Sequence, residues 1–174
     1  MNGGNDALVF LSLGANIGDR EAALREAVIR IASLPQTRID KISSVYETEP
    51  WGYRKQDPFL NCILSAQTGA TAQELFHMLK STEREMGRAP AQRYHPRIID
   101  IDILFFDDDI ISTTELTVPH VSLHNRRFVL APLCEIAEDF VHPILKKNIR
   151  ELLVECSDTG SIRRTDYALT MQDG

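Results

Sequence analysis

Cysteine is scarce in this chain, and the three present, Cys62, Cys134 and Cys156, are odd in number and widely spaced. With no C-x-x-C pair, neither a disulfide framework nor a structural zinc site is suggested, and a reducing compartment fits best. No apolar run approaches the roughly 18 residues that span a bilayer, and no basic segment precedes the first short apolar run. A cytoplasmic protein without a membrane partner is therefore expected. Positive charge is also in deficit, since 19 Lys and Arg stand against 25 Asp and Glu, a net charge of -6. The field of the whole chain repels polyanions, so nucleic acid is not an expected partner and any anionic ligand must be held locally. Neither G-x-x-x-x-G-K-[ST] nor G-x-G-x-x-G occurs, so P-loop and Rossmann nucleotide sites are unsupported. Phosphate would have to be gripped by side chains.

What is present is a chain of 174 residues, 43% hydrophobic and 25% charged, enough to bury one core without staples. A single domain over residues 5–165 and a monomer are expected. Residues 7–13 read as a buried strand ended by Gly14. Asp19 then caps a helix whose apolar stripe is Ala23, Leu24, Ala27, Val28, Ile31 and Leu34, and Pro35 stops it. A strand over 38–46, an exposed loop over 47–58 and a strand over 59–67 follow. Thr71 and Glu74 form a capping box for a helix reaching about Met86, with Leu75, Met78, Leu79, Thr82 and Met86 as its core stripe. Phe76, Lys80 and Glu83 line one flank of that helix. A polar loop over 88–97 leads to the strongest strand, 98–106, and residues 107–109 turn it back toward Ile110 and Ile111. A helix over 128–137 and another capped by Asn148 complete the reading. The order strand, helix, strand, strand, helix, strand predicts an α/β (α+β) fold, a ferredoxin-like sandwich with helices on one face of a mainly antiparallel sheet.

In the strand over 98–106 the alternation puts Ile99, Ile101, Ile103 and Phe105 on a core face. Asp100 and Asp102 then share the other face with Ile98, Leu104 and Phe106, about 6.6 Å apart along the strand. Two carboxylates among apolar neighbours suit a hard divalent cation, but the pattern alone is weak evidence for one and fits the wet face of an edge strand better. Arg97 lies only three residues upstream, and guanidinium beside metal-binding carboxylate is the usual grip on a polyphosphate. The same set would serve a phosphodiester hydrolase that uses water as acceptor, or a ligand-sensing module without catalysis. His120 and His124 lack a third zinc ligand, and His120 suits hydrogen bonding to phosphate or ribose. Gly14 and Gly18 read as a tight turn.

Several segments, taken together, carry a resemblance. LSLGANIGDRE near the start, SSVYETEPWG, FLNC, the block R-x-x-P-R-I-I-D-I-D-I-L from Arg93 to Leu104, LTVPH and NRRFVLAPLCEIA stand in the order and spacing of the 6-hydroxymethyl-7,8-dihydropterin pyrophosphokinase family, which this chain resembles over most of its length. The resemblance implies a ferredoxin-like fold and transfer of pyrophosphate from Mg-ATP to the pterin hydroxymethyl group, with AMP released. It implies that Asp100 and Asp102 hold two magnesium ions, and that Arg88 and Arg97 act with them in catalysis. ATP would be bound by Phe76, Lys80, Glu83, Arg88, Arg97, Ile103, Leu116, Thr117, His120 and Arg126. The pterin would be bound by Thr48, Glu49, Trp51, Phe59, Asn61, Tyr94 and Phe128, the phenylalanines stacking on its two faces. The chain departs from the family pattern at Phe59, Tyr94, Lys80 and Glu49. The tail after about residue 144 lies outside the motifs and receives no role.

Overall fold

The computed structural model describes residues 6–52, 54–90 and 96–170. In chain order the elements are β1 (Ala7–Ala15), α1 (Arg20–Ala32), β2 (Thr37–Ile42), β3 (Tyr46–Thr48), β4 (Phe59–Thr68), α2 (Ala72–Glu85), β5 (Asp100–Phe106), β6 (Ile111–Ser112), β7 (Thr117–Val118), a 3-10 turn (Leu123–Asn125), α3 (Arg127–Ala137), α4 (Ile149–Glu155) and β8 (Ile162–Arg164). The main sheet runs β5-β1-β4-β3-β8, with β2 also on β4, and each pairing is antiparallel. This is the ferredoxin-like sandwich expected from the sequence.

The helix starts follow local chemistry. Asp19 accepts the Ala22 amide at 2.9 Å, and the Thr71/Glu74 and Asn148/Glu151 pairs close complete capping boxes on α2 and α4. Each box satisfies amides that a helix's first turn cannot pair internally. Alternation in β1 sends Val9, Leu11, Leu13 and Ala15 to one face, where with Leu60, Cys62 and Leu64 of β4 they meet Leu24, Val28, Ile31, Leu75 and Leu79 of α1 and α2. Truncating any one of these leucines to alanine removes about 2–5 kcal/mol.

Three expectations are corrected by the structure. The helices do not all lie on one face: α3 and α4 build a second core with Phe10, Ile63, Leu104 and Phe105 on the opposite side of the sheet. The strand expected over 38–46 is broken at residues 43–45, where the Ser43 hydroxyl accepts the Ile63 amide at 2.9 Å in place of a continuous ladder. Pairing with β4 resumes only at its last residue, Tyr46, and β3 runs on to Thr48, so Glu47 and Thr48 belong to the sheet and not to the exposed loop. Finally, the strand expected over 98–106 begins at Asp100, and its facing changes midway. The register against β1 shifts so that Leu11 faces Ile103 while Phe10 faces Phe105, leaving Leu104 as the extra residue of a bulge. Phe106 therefore joins the α1/α2 core and Phe105 the α3/α4 core, the reverse of strict alternation. Among the described residues no helix is long and apolar enough to cross a membrane.

His142 sits in the connection between α3 and α4, 4% exposed, and its Nδ1 accepts the amides of Ile144 and Leu145 at 3.2 Å each. Burial, and then the neighbouring His124, hold its pKa below an imidazole's ordinary 6.5. The unfolded chain thus takes up this proton first, and the contribution to stability is lost as pH falls below that value. The urea midpoint should drop between pH 7.5 and pH 5, and His142→Asn, which cannot titrate, should drop less; equal slopes would contradict the assignment.

Candidate active site

Three neighbouring strands place their polar residues on one face by register. Gly14 of β1 lies opposite Asp100 on one side and Asn61 on the other, and Ser12 lies opposite Asp102. Strands about 4.8 Å apart put the Asp100 and Asn61 backbones roughly 10 Å from each other across the glycine. Above this row opens a cavity of about 220 Å³ lined by Thr48, Glu49, Trp51, Phe59, Asn61, Arg97, Asp100, Asp102, His120, Arg126 and Phe128, with Ser12, Gly14 and Gln56 among its other walls. The residues assigned to the pterin and to metal are thus brought together. Tyr94 lies outside the described residues.

The pterin end is a buried polar pair flanked by aromatic rings. Asn61 Nδ2 donates to Thr48 Oγ1 at 2.6 Å, and the two residues are 5% and 3% exposed. The Asn61 carboxamide oxygen points at Gly14: a Cβ there would come within 2.7 Å of it and 3.6 Å of the Phe59 ring. The turn expected at Gly14 is therefore a strand interior where only hydrogen leaves room for the asparagine and whatever docks on it. The Arg126 guanidinium lies 4.6 Å from the Trp51 ring centre and 5.8 Å from that of Phe128, tying both aromatics to one cation.

At the other end charges crowd. One Asp100 carboxylate oxygen has the Arg88 guanidinium at 2.9 Å and that of Arg97 at 3.0 Å. Neither forms a well-directed hydrogen bond, so this buried oxygen keeps acceptor capacity. Glu83, its side chain 3% exposed, pairs with Arg88, takes the Lys80 ammonium at 3.0 Å and accepts the Ile101 amide at 2.6 Å. Burial pushes its carboxyl up, while Lys80, the Ile101 amide and Arg88 oppose that shift. Asp102 keeps 34% of its side chain open to the cavity but is enclosed by protein on its other sides, with Lys80 at 3.7 Å. Desolvation first, and the Asp100 charge second, raise its pKa.

A divalent cation suits this donor set. Both carboxylates face one cavity, all donors are oxygen, and Asp100 holds an oxygen without a directed partner. No cluster of three or more metal-ligating side chains occurs among the described residues. The remaining positions of a magnesium ion would then fall to water and phosphate oxygens, as is usual for that ion.

A second cavity, about 210 Å³, is lined by Phe76, Lys80, Ile103, Leu116, Thr117 and His120 and meets the first at Asp102, His120 and Val121. The residues assigned to ATP line one or other cavity, except Glu83 and Arg88, which stand behind the carboxylates as their charge support. Sequence reading passed over Asn16. It is 3% exposed and donates to Gln56 Oε1 at 2.9 Å and the Asp57 carbonyl at 3.0 Å. It also accepts the Arg97 amide at 2.8 Å, so one side chain ties the segment after β3 to the approach to β5. A short polar side chain just past a buried strand was the available signal.

The family model for 7,8-dihydro-6-hydroxymethylpterin-pyrophosphokinase matches residues 10–138. The chain belongs to this family. Relatives include the 2-amino-4-hydroxy-6-hydroxymethyldihydropteridine pyrophosphokinase of Aquifex aeolicus, 42% identical over 149 residues, covering 86% of this chain and 92% of that one. The Bacillus subtilis protein of the same name is also 42% identical, over 75% of this chain and 78% of its own. Among solved structures, the Plasmodium falciparum HPPK-DHPS wild type with pteroate superposes with a TM-score of 0.70 at 18% identity, over 88% of this chain and 43% of that chain. The chain therefore spans less than half of that protein and shares the fold of the part it covers.

Because ionised Asp102 is costly where it stands, Asp102→Asn should raise the thermal midpoint of metal-free, ATP-free protein by a few degrees at pH 7.5. The gain should shrink as pH falls toward the ordinary carboxyl range, where Asp102 itself becomes neutral. A lowered midpoint at pH 7.5 would show that the carboxylate stabilises the fold instead.

Proposed function

We propose that the two joined cavities hold a pterin and ATP side by side, and that the acidic pair of β5 with its arginines carries the family's reaction between them. The chain is a pyrophosphokinase of folate biosynthesis: it moves the pyrophosphoryl group of ATP to the hydroxymethyl group of 6-hydroxymethyl-7,8-dihydropterin and releases AMP. The observation that carries the residue assignment is the meeting, at Asp102 and His120, of a cavity walled by Trp51, Phe59 and Phe128 that also holds Arg97 and Arg126 with a second cavity that holds Phe76 and Lys80.

In this reading the pterin ring lies between Phe59 and Phe128, its polar edge on Asn61 and Thr48, with Trp51 and Glu49 at the rim. A flat heterocycle gains both stacking and the hydrogen bonds of a buried amide. ATP lies along Phe76, Ile103, Leu116 and Thr117, with His120, Lys80 and Arg126 facing its polar groups. Asp100 and Asp102 would hold two magnesium ions, which when bound neutralise charge on phosphate oxygens. The pterin hydroxyl oxygen forms its new bond to the β-phosphorus and gives up its proton to solvent or to Asp102, as the bond from that phosphorus to the α-phosphate oxygen breaks and AMP departs. Arg97 and Arg88 lie where charge shifts during that displacement, and preformed guanidinium groups stabilise it without reorganising. Glu83 keeps Arg88 and Lys80 oriented. Residues 5–165 would work as one domain, as a monomer in the cytoplasm.

Incubation with Mg-ATP and the pterin should release AMP only when both are present. ADP as product, or AMP formed without pterin, would reject this reading. Asp100→Ala should abolish transfer while leaving the fold intact. Arg97→Ala should lower kcat about a hundredfold with much less change in Mg-ATP affinity. An equal loss in both would place Arg97 in ground-state binding.

A further inference from the structure

The tail beyond the family match is built into the pterin end of the site. β8 pairs with β3 in the register Tyr46↔Arg164, Glu47↔Arg163 and Thr48↔Ile162, so the strand that carries Thr48 has the tail as its outer neighbour. Thr165 anchors the far end, its amide and hydroxyl both donating to the Val45 carbonyl at 2.9 and 2.8 Å. At the near end the Glu49 amide donates to the Ser161 carbonyl at 3.2 Å, which fixes the chain two residues before Trp51. Arg163 adds an ion pair to Glu47 at 2.9 Å.

The same segment reaches the opposite wall of the cavity. The residue before α3, Arg126, makes no side-chain cap, so the first amide of that helix needs an acceptor from elsewhere. Asp158 provides it: one carboxylate oxygen accepts the Arg127 amide at 3.0 Å, and the other accepts the Gly160 amide at 2.9 Å. A negative group at a helix N-terminus is favourable twice over, as hydrogen-bond acceptor and against the helix dipole. Phe128 is the next residue of α3. Trp51, Phe128, Asp158, Gly160 and Ser161 also wall a further cavity of about 280 Å³ behind the rim, so the tail is the span that bridges the two aromatic supports.

We propose that residues 157–165 form a positioning element of the pterin site, with Asp158 as the positioning residue. Held at Ser161 to the strand end leading to Trp51, and at Asp158 to the helix start carrying Phe128, the segment sets the distance between the two walls. The assignment rests on the pterin occupying the first cavity. The hydrogen bonds described for the segment fall on the strand leading to Trp51 and on the backbone amide of Arg127, with the Arg126 side chain not among them, and none of them reaches Asp100, Asp102 or the lining of the second cavity.

The test is Asp158→Ala and Asp158→Asn in the full chain, with pterin binding read from its own fluorescence and with kcat and both KM values measured. Asp158→Ala should raise the pterin dissociation constant and KM about tenfold, with kcat and the KM for Mg-ATP changed less than about twofold. Asp158→Asn keeps an oxygen able to accept the Arg127 amide and should restore most of the affinity. Unchanged pterin affinity in Asp158→Ala, parallel loss for both substrates, or no recovery in Asp158→Asn would each overturn the proposal. Asn61→Ala separates the two levels. If it leaves pterin affinity intact, the cavity assignment fails; if it weakens binding while Asp158→Ala does not, only the tail's role fails.

Discussion

The register of the central strand is the constraint on which the site depends. β1 is hydrogen-bonded on both edges, and one residue, Gly14, stands between Asp100 and Asn61. A slip of one residue would turn every side chain of β1 to the other side of the sheet, moving Leu11 and Leu13 out of the core and Ser12 into it. The apolar alternation that stabilises the fold therefore also fixes which atoms face the ligands. The absence of a side chain at Gly14 matters for the same reason, since the middle of the row must stay low between two functional groups.

Around that row the protein solves an electrostatic problem locally. Its net charge is -6, yet one substrate of the family's reaction, ATP, brings a triphosphate that must be held. Lys80, Arg88 and Arg97 gather on Glu83, Asp100 and Asp102, so cations and carboxylates keep each other in place before any ligand arrives. Glu83 is the quiet member of this group. It lines neither cavity, and its burial is compensated by a lysine, an arginine and a backbone amide. Removing one partner of such a network leaves the others uncompensated, which is why the support behind the carboxylates is as sensitive as the carboxylates themselves.

Much of this was legible in the residues because the governing rules are local. Capping at Asp19, Thr71 and Asn148 needs only a few neighbouring residues, and the facing of Asp100 and Asp102 follows from strand alternation. The paired aromatics and Asn61 came with the family motifs. What escaped depends on contacts distant in sequence. The bulge at Leu104 is set by pairing with β1, and it exchanged the faces of Phe105 and Phe106. Nothing in the alternation of Ile162–Arg164 marks a strand, because its pairing is decided by the exposed edge of β3. The amphipathic pattern of α3 tells that it packs, not on which side of the sheet. The burial of Glu83 likewise arises from where α2 meets β5.

The bulge in β5 has a mechanical side. Below it, Ile101 and Ile103 are embedded with α1 and α2; beyond it, Phe105 is embedded with α3 and α4 while Phe106 returns to the first group. A segment wedged in this way into two separate hydrophobic layers has no direction in which it can creep lengthwise, because any axial shift would strip large side chains from both. The outermost strand on this side of the sheet, which by position alone would be the easiest to fray, is thus bolted from two sides, and its carboxylates keep a fixed height above the sheet.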